Sequence, residues 1–216
     1  MSVLTILWRI LLCAVLLVPP AHAEPLSHSE ALLALEHPVS YQRLAALQQL
    51  GRSGTMADAG AVLGRLHDGQ AEVREAAAAA AWQIWGRSGD TEVDALYAEG
   101  VTQMQGGEVF EALQTFEQVI RRKPDFAEGW NKRATVLYAL GRFEESLRDC
   151  VEVFKRNPQH FGALSGAGQI YLQLGQWRQA LMHFKLAVAV NPDLEGPAQI
   201  IPLIEERIAE EDKKRT

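Results

Sequence analysis

Cysteine is nearly absent from this chain: among 216 residues only Cys13 and Cys150 occur. Cys13 lies in an apolar leader, so Cys150 stands alone in the remainder and no internal disulfide framework can form. Stability has to come from packing. Basic residues are also short, 21 against 27 acidic ones, for a net charge of −6. That balance excludes binding to a phosphate backbone, which needs clustered Lys and Arg, so no nucleic acid partner is expected. Beyond the amino terminus there is no long hydrophobic run, which leaves no stable membrane insertion once the leader is removed. Catalytic signatures are missing as well: no G-x-S-x-G, G-x-x-x-x-G-K or G-x-G-x-x-G is present. After the leader the histidines are His28, His37, His67, His160 and His183, none at H-x-x-x-H spacing or paired with a cysteine. A metal site therefore has no support, and without a positioned acid, base or nucleophile neither an enzyme nor a cofactor is expected.

What is present begins with a leader. Arg9 precedes an apolar run from Ile10 to Val18, followed by Pro19, Pro20 and the small-residue pattern Ala21-His22-Ala23. This is the layout of a secretory signal peptide over residues 1–23, and the run is far short of the roughly 20 residues that span a bilayer. Leu12 before Cys13, where a lipoprotein box needs a small residue, excludes a lipid anchor. The expected location is outside the cytoplasm, in a Gram-negative periplasm or, alternatively, secreted.

The second half is periodic. Pro124, Pro158 and Pro192 recur at an interval of 34 residues, as do Gly107, Gly141 and Gly175. Internal periods of this size mark stacked repeats. Three frames follow, residues 93–126, 127–160 and 161–194 within a repeat region of 90–194. Their fourth position carries Leu96, Trp130 and Leu164, and their eighth Gly100, Ala134 and Gly168. The twentieth carries Ala112, Ser146 and Ala180, the twenty-fourth Phe116, Cys150 and Phe184. Small columns let paired helices approach, and large ones fill the space between them. Each glycine falls where a first helix ends and a left-handed residue is needed, and each proline stops a second helix. One hairpin of this kind cannot bury its apolar stripe alone, whereas a stack can. In this frame Cys150 occupies a core column and is packing material rather than a nucleophile.

These columns, glycines and prolines resemble the tetratricopeptide repeat (TPR), with Ala134, Ser146 and Cys150 as departures in the middle frame. The resemblance implies an all-α fold, a helical-repeat solenoid of stacked antiparallel helix pairs forming a superhelix. It also implies a concave groove lined by the first helix of each pair. Carried onto this chain, the groove residues of the first repeat include Tyr97, Val101 and Gln105. Those of the second are Glu128, Asn131, Lys132, Thr135 and Tyr138, and those of the third Ser165, Gln169 and Gln173. Family members that grip a C-terminal carboxylate place Lys, Arg and Asn in these positions. Here only Asn131 and Lys132 qualify, so a charge clamp is not expected. Gly162, Ser165 and Gly166 leave room for a bulky or helical ligand to approach the backbone.

Residues 24–89 lack the 34-residue frame. Ser27 and Glu30 form an S-x-x-E capping box, and three further helical stretches follow, with "GRSG" closing two of them at Gly51 and Gly86. "LHDGQAEVREAAAAAA" resembles HEAT-type repeats. This unit is expected to continue the repeats as one solenoid, with Trp82 and Trp85 at the junction. At the other end, residues 195–216, Ile201, Ile204 and Ile208 make an apolar stripe for a capping helix followed by a fraying tail. The expected function is a non-catalytic interaction scaffold of the cell envelope, holding a peptide or helix of a partner protein in the groove. The alternatives are a self-assembling oligomer and, from the HEAT resemblance alone, a chromophore lyase.

Overall fold

The computed structural model describes residues 26–214, so the proposed leader lies outside the described residues. Among the described residues every regular element is helical. The helices are α1 (His28–Ala34), α2 (Ser40–Ser53), α3 (Ala59–Gly64), α4 (Ala71–Trp85), α5 (Thr91–Gln105), α6 (Val109–Arg122), α7 (Ala127–Ala139), α8 (Phe143–Arg156), α9 (Phe161–Gln173), α10 (Trp177–Val190) and α11 (Glu195–Lys213). Single 3-10 turns flank α3.

The first four helices form a bundle. Ser27 starts it with a reciprocal cap: its hydroxyl accepts the Glu30 N–H at 3.3 Å, and Glu30 accepts the Ser27 N–H at 2.9 Å. α4 is alanine-rich where it meets α2, and Ala77, Ala80 and Ala81 are buried there. Gly51 lies inside α2 rather than at its end, and a Cβ there would press on the Gln83 side chain of α4. Gly54 is the residue that closes α2. Arg87 ties the two helix ends together, donating to the carbonyls of Gly51 at 2.7 Å and Gly54 at 2.6 Å.

Helices α5 to α10 form three pairs joined by one repeated turn. At Gly107, Gly141 and Gly175 φ is 80°, 72° and 69°, a region cheap only for glycine. Each turn carries both Schellman bonds. In the middle pair these are Gly141 N–H to Tyr138 O at 2.9 Å and Arg142 N–H to Leu137 O at 2.9 Å. The column logic also has a physical basis. A Cβ on Gly100 would come within 2.8 Å of the Phe116 ring, and one on Gly168 within 2.7 Å of the Phe184 ring. The middle pair changes both partners together: Ala134 adds a methyl, and Cys150 removes the ring it would strike. Ser146 crosses the same interface, its hydroxyl donating to Ala134 O at 2.7 Å.

Helix α11 covers the last pair: Pro197, Ile204 and Ile208 are buried, the two isoleucines beside Ala180 and Phe184. It runs unbroken through Pro202 to Lys213, so the expected fraying tail is helical as far as Lys213. Pro202 is exposed, on the side of α11 away from the stack.

The bundle does not extend the solenoid end to end. It lies across the turns between pairs. Phe161 belongs to the bundle's core, Val190 and Leu194 pack against it, and Arg74 pairs with Asp193 at 2.7 Å. Trp82 and Trp85 do form the junction. They meet the start of the third pair at His160 and Phe161, with ring centroids 4.3–5.4 Å apart.

Candidate functional site

The concave side, made by α5, α7 and α9, divides into two regions of different chemistry. In the first, where α5 meets the amino-terminal ends of α7 and α9, the expected groove residues Tyr97, Glu128, Asn131 and Lys132 converge. Glu128 is 1 % exposed and Asn131 8 %, so neither is available to a partner. The Glu128 carboxylate collects His160 Nε2 at 2.7 Å, the Asn131 amide at 3.1 Å on both oxygens, Lys132 Nζ at 3.3 Å and the Tyr97 hydroxyl at 3.3 Å. His160 Nδ1 accepts the Ala163 N–H at 3.0 Å, which leaves the proton on Nε2 as the donor to Glu128. Burial pushes the Glu128 carboxyl up, but the hydrogen bond from His160, the charge of Lys132 and the Asn131 amide outweigh it and hold the group below its ordinary value. Burial, and then Glu128, push the Tyr97 phenol well up.

Over this cluster lies Trp82. Its ring packs against Gly162, where a Cβ would come within 2.8 Å of Cζ2, and Lys132 Nζ sits 5.7 Å from the ring centroid. Trp85 stacks on His160 at 4.3 Å. The expectation of a groove free along its whole length is therefore corrected. The bundle occupies its amino-terminal end, and the two residues that suited a carboxylate clamp are already engaged by the chain's own carboxylate.

The second region is open. A cavity of about 140 Å³ lies between α7, α8 and α9. Its floor is Ala134, Cys150 and Ile170 together with the inward-facing Asn131, all buried, and its rim is Thr135, Tyr138 and Gln169. Gly162 and Gly166 make the α9 wall, and a Cβ on Gly166 would meet nothing within 4 Å. The cavity sits where Cys150 stands in place of the phenylalanine of the other two pairs. No charged residue lines it. Thr135 and Gln173 are exposed, and the Gln173 amide donates to the Tyr138 hydroxyl at 3.5 Å. Ser165 is half-buried on the same helix, whereas Val101 packs into the core of the first pair and Gln105 lies exposed at the end of α5.

Nucleophilic chemistry has no foothold at Cys150. Burial, then the neighbouring Asp149, push its thiol up to about 12. His183 is sandwiched between Phe154 and Tyr171 at 5.7 Å and 5.2 Å, and burial pulls its imidazole down. Among the described residues no group of His, Cys, Asp and Glu is arranged to hold a metal ion. The sequence had marked Trp82 only as a junction residue and His160 only as a histidine without a metal partner. No local signal connects them, because the contact joins α4 to a turn two pairs later.

Comparison with known proteins agrees with this architecture. A tetratricopeptide repeat family model matches residues 97–151 and 131–194, so α5 to α10 carry TPR repeats. A TPR repeat-containing protein of Rhizobium etli is 32% identical over 98 residues, which is 45% of this chain. The match covers 48% of that protein, so the chain spans about half the length of this curated relative. Among solved structures, the first TPR of Spaghetti bound to an HSP90 peptide superposes with a TM-score of 0.54 at 18% identity, over 55% of this chain and 94% of that one. The Sgt2 TPR domain from Aspergillus fumigatus gives 0.54 at 18%, over 57% and 83%. Over α5 to α10 the fold is a TPR superhelix of stacked helix pairs.

Proposed function

We propose that the chain is a non-catalytic scaffold of the cell envelope that holds a segment of another protein in the open part of its groove. The observation that carries this reading is the uncharged cavity between α7 and α9. A cavity of about 150 Å³ with an apolar lining takes one benzene, and the 140 Å³ here suits one leucyl or phenyl side chain. The amide and hydroxyl rim then faces the main chain that carries that side chain. This differs from the peptide of the Spaghetti complex, SRMEEVD, which is acidic. In this chain Lys132 is held by Glu128 and shielded by Trp82, so an acidic tail would find no free cation in that place. Export rests on the leader at residues 1–23.

Gly166 supplies the test, because the space beyond it is open and a larger residue fits the fold while filling the groove. A photo-crosslinking residue at Tyr138 is expected to capture a partner in whole cells, in the envelope fraction. The same residue at Val151, exposed on α8, is expected not to. Gly166→Leu should abolish the Tyr138 capture without loss of stability, since leaving glycine inside a helix gains roughly 1 kcal/mol. Capture that survives Gly166→Leu, or is equal from both positions, removes the groove from the account.

A further inference from the structure

We propose that the outer face of the bundle, along α2 and α4, is a self-complementary surface on which a second copy of this chain docks about a two-fold axis. The two helices run parallel. Arg43 of α2 meets Asp68, just before α4, at 2.7 Å, and at the other end Arg87, just after α4, holds the carbonyls of Gly51 and Gly54. Between the helices, with no residue of another element in its walls, runs a groove of about 400 Å³. Its floor is apolar, made by Leu44, Leu47, Ala76 and Ala80, and Ala79 stands exposed beside them. Tyr41 precedes Leu44, Gln48 and Arg52 by three, seven and eleven residues, which puts all four on one face of α2. Its ring is 64 % exposed, an uncovered aromatic at the amino-terminal end of the groove.

The charges along this groove are sorted by sign. Glu72 and Glu75, in the first turns of α4, stand at the end that holds Tyr41, and Arg52 stands at the other. Among the described residues neither glutamate has a hydrogen-bond or ion-pair partner, and Arg52 meets only the neutral Gln49 amide, at 2.9 Å. A basic segment laid in the groove is attracted by the glutamates and repelled by Arg52, and an acidic segment meets the reverse. A second copy satisfies both ends. Turned about a two-fold axis, it lays its own α2 and α4 antiparallel to the first pair, and a patch that is acidic at one end and basic at the other then matches itself. Arg52 of each copy faces Glu72 and Glu75 of the other, with the exposed Tyr41 ring there to receive the guanidinium. The alanines of the floor let the helices approach. No residue of this face lines the cavity between α7 and α9, so the contact uses none of the groove and stands apart from the proposed function.

The experiment is sedimentation equilibrium on the protein purified from cells that make it, at physiological salt. Wild type is expected to show twice the mass of one chain at about 100 μM, where a dimer with a micromolar dissociation constant has formed. Glu72→Lys with Glu75→Lys makes the face basic at both ends, and Arg52→Glu makes it acidic at both. Each variant alone is expected to weaken the dimer at least about tenfold, because like charges then oppose each other. All three positions are exposed, and helical circular dichroism of wild-type strength checks that each variant folds. An equimolar mixture of the two variants is expected to regain the doubled mass, since the bases of one copy again meet the acids of the other. A wild type that keeps the mass of one chain overturns the proposal and leaves the face to a different partner. It is equally overturned if either variant dimerises as the wild type does, which puts the contact elsewhere, or if the mixture stays at the mass of one chain.

Discussion

Removing one carboxylate tests whether the bundle and the repeats are joined as described. In Glu128→Ala the four groups that converge on the carboxylate lose their acceptor at once. Lys132 and Tyr97 are half-buried and can turn toward water, so their loss is small. His160 is 0 % exposed and Asn131 8 %, and their donors stay buried. At about 1–3 kcal/mol for each stranded donor, the expected destabilisation is about 3–5 kcal/mol, the range for breaking a buried ion pair from one side. Glu128→Gln, which keeps one oxygen for His160, should fall between wild type and alanine. Urea unfolding followed by tryptophan fluorescence measures the loss, with Trp82 and Trp85 reporting from the cluster itself. The pH dependence gives a second check. The folded carboxyl is held below its ordinary value of 4.5, so its stabilising contribution is complete above that pH and drains away as the pH falls through the folded value. The gap between wild type and Glu128→Gln should therefore be constant near neutrality and shrink in acid. A Glu128→Ala loss below about 1 kcal/mol, when each stranded buried donor should cost at least that much, or a gap that is the same in acid, refutes the reasoning.

Two further outcomes follow from the packing. Gly162→Ala places a methyl against Trp82 Cζ2 at 2.8 Å, and Trp82, 37 % exposed, is free to swing outward. The fluorescence should shift to the red with a net loss of about 1–2 kcal/mol from overpacking, despite the helix-propensity gain. An unchanged spectrum counts against the Trp82 contact. Cys150, buried and with its thiol pushed up to about 12, should resist a thiol reagent at neutral pH until the chain is unfolded, with mass spectrometry locating the label. Fast labelling of the native protein at Cys150 contradicts its core placement.

Much of the fold was legible because its determinants are local. Gly107, Gly141 and Gly175 announce a left-handed residue wherever they stand, and the small and large columns fix which faces meet. The sequence also flagged Ala134 and Cys150 as departures, but only coordinates show that each departure accommodates the other and leaves a cavity behind. Glu128 marks the opposite limit. Its position in a repeat assigns it to the concave face, but helical position does not say what covers that face. The cover is Trp82 of α4, far away in the chain, and such long-range contacts leave no periodic trace. Pro202 stands inside α11, where it removes one backbone bond and crowds the carbonyl four residues before it, and the Ile204 and Ile208 contacts of α11 hold the helix through it.

The junction also sets what the groove can hold. Because the bundle covers Glu128, Asn131 and Lys132, the free concave surface starts at Thr135 on α7 and at Ser165 on α9. A ligand that needed Lys132 would first have to displace Trp82 and part the stacked Trp85–His160 rings. Its apparent affinity would fall by the fraction of molecules already open. A ligand anchored in the uncharged cavity meets no such barrier, since Gly166 leaves its entrance clear. On the proposed function, the same contacts that fasten the two units would favour an uncharged anchor over an acidic tail. Loosening them with Glu128→Ala should widen the range of peptides bound rather than abolish binding.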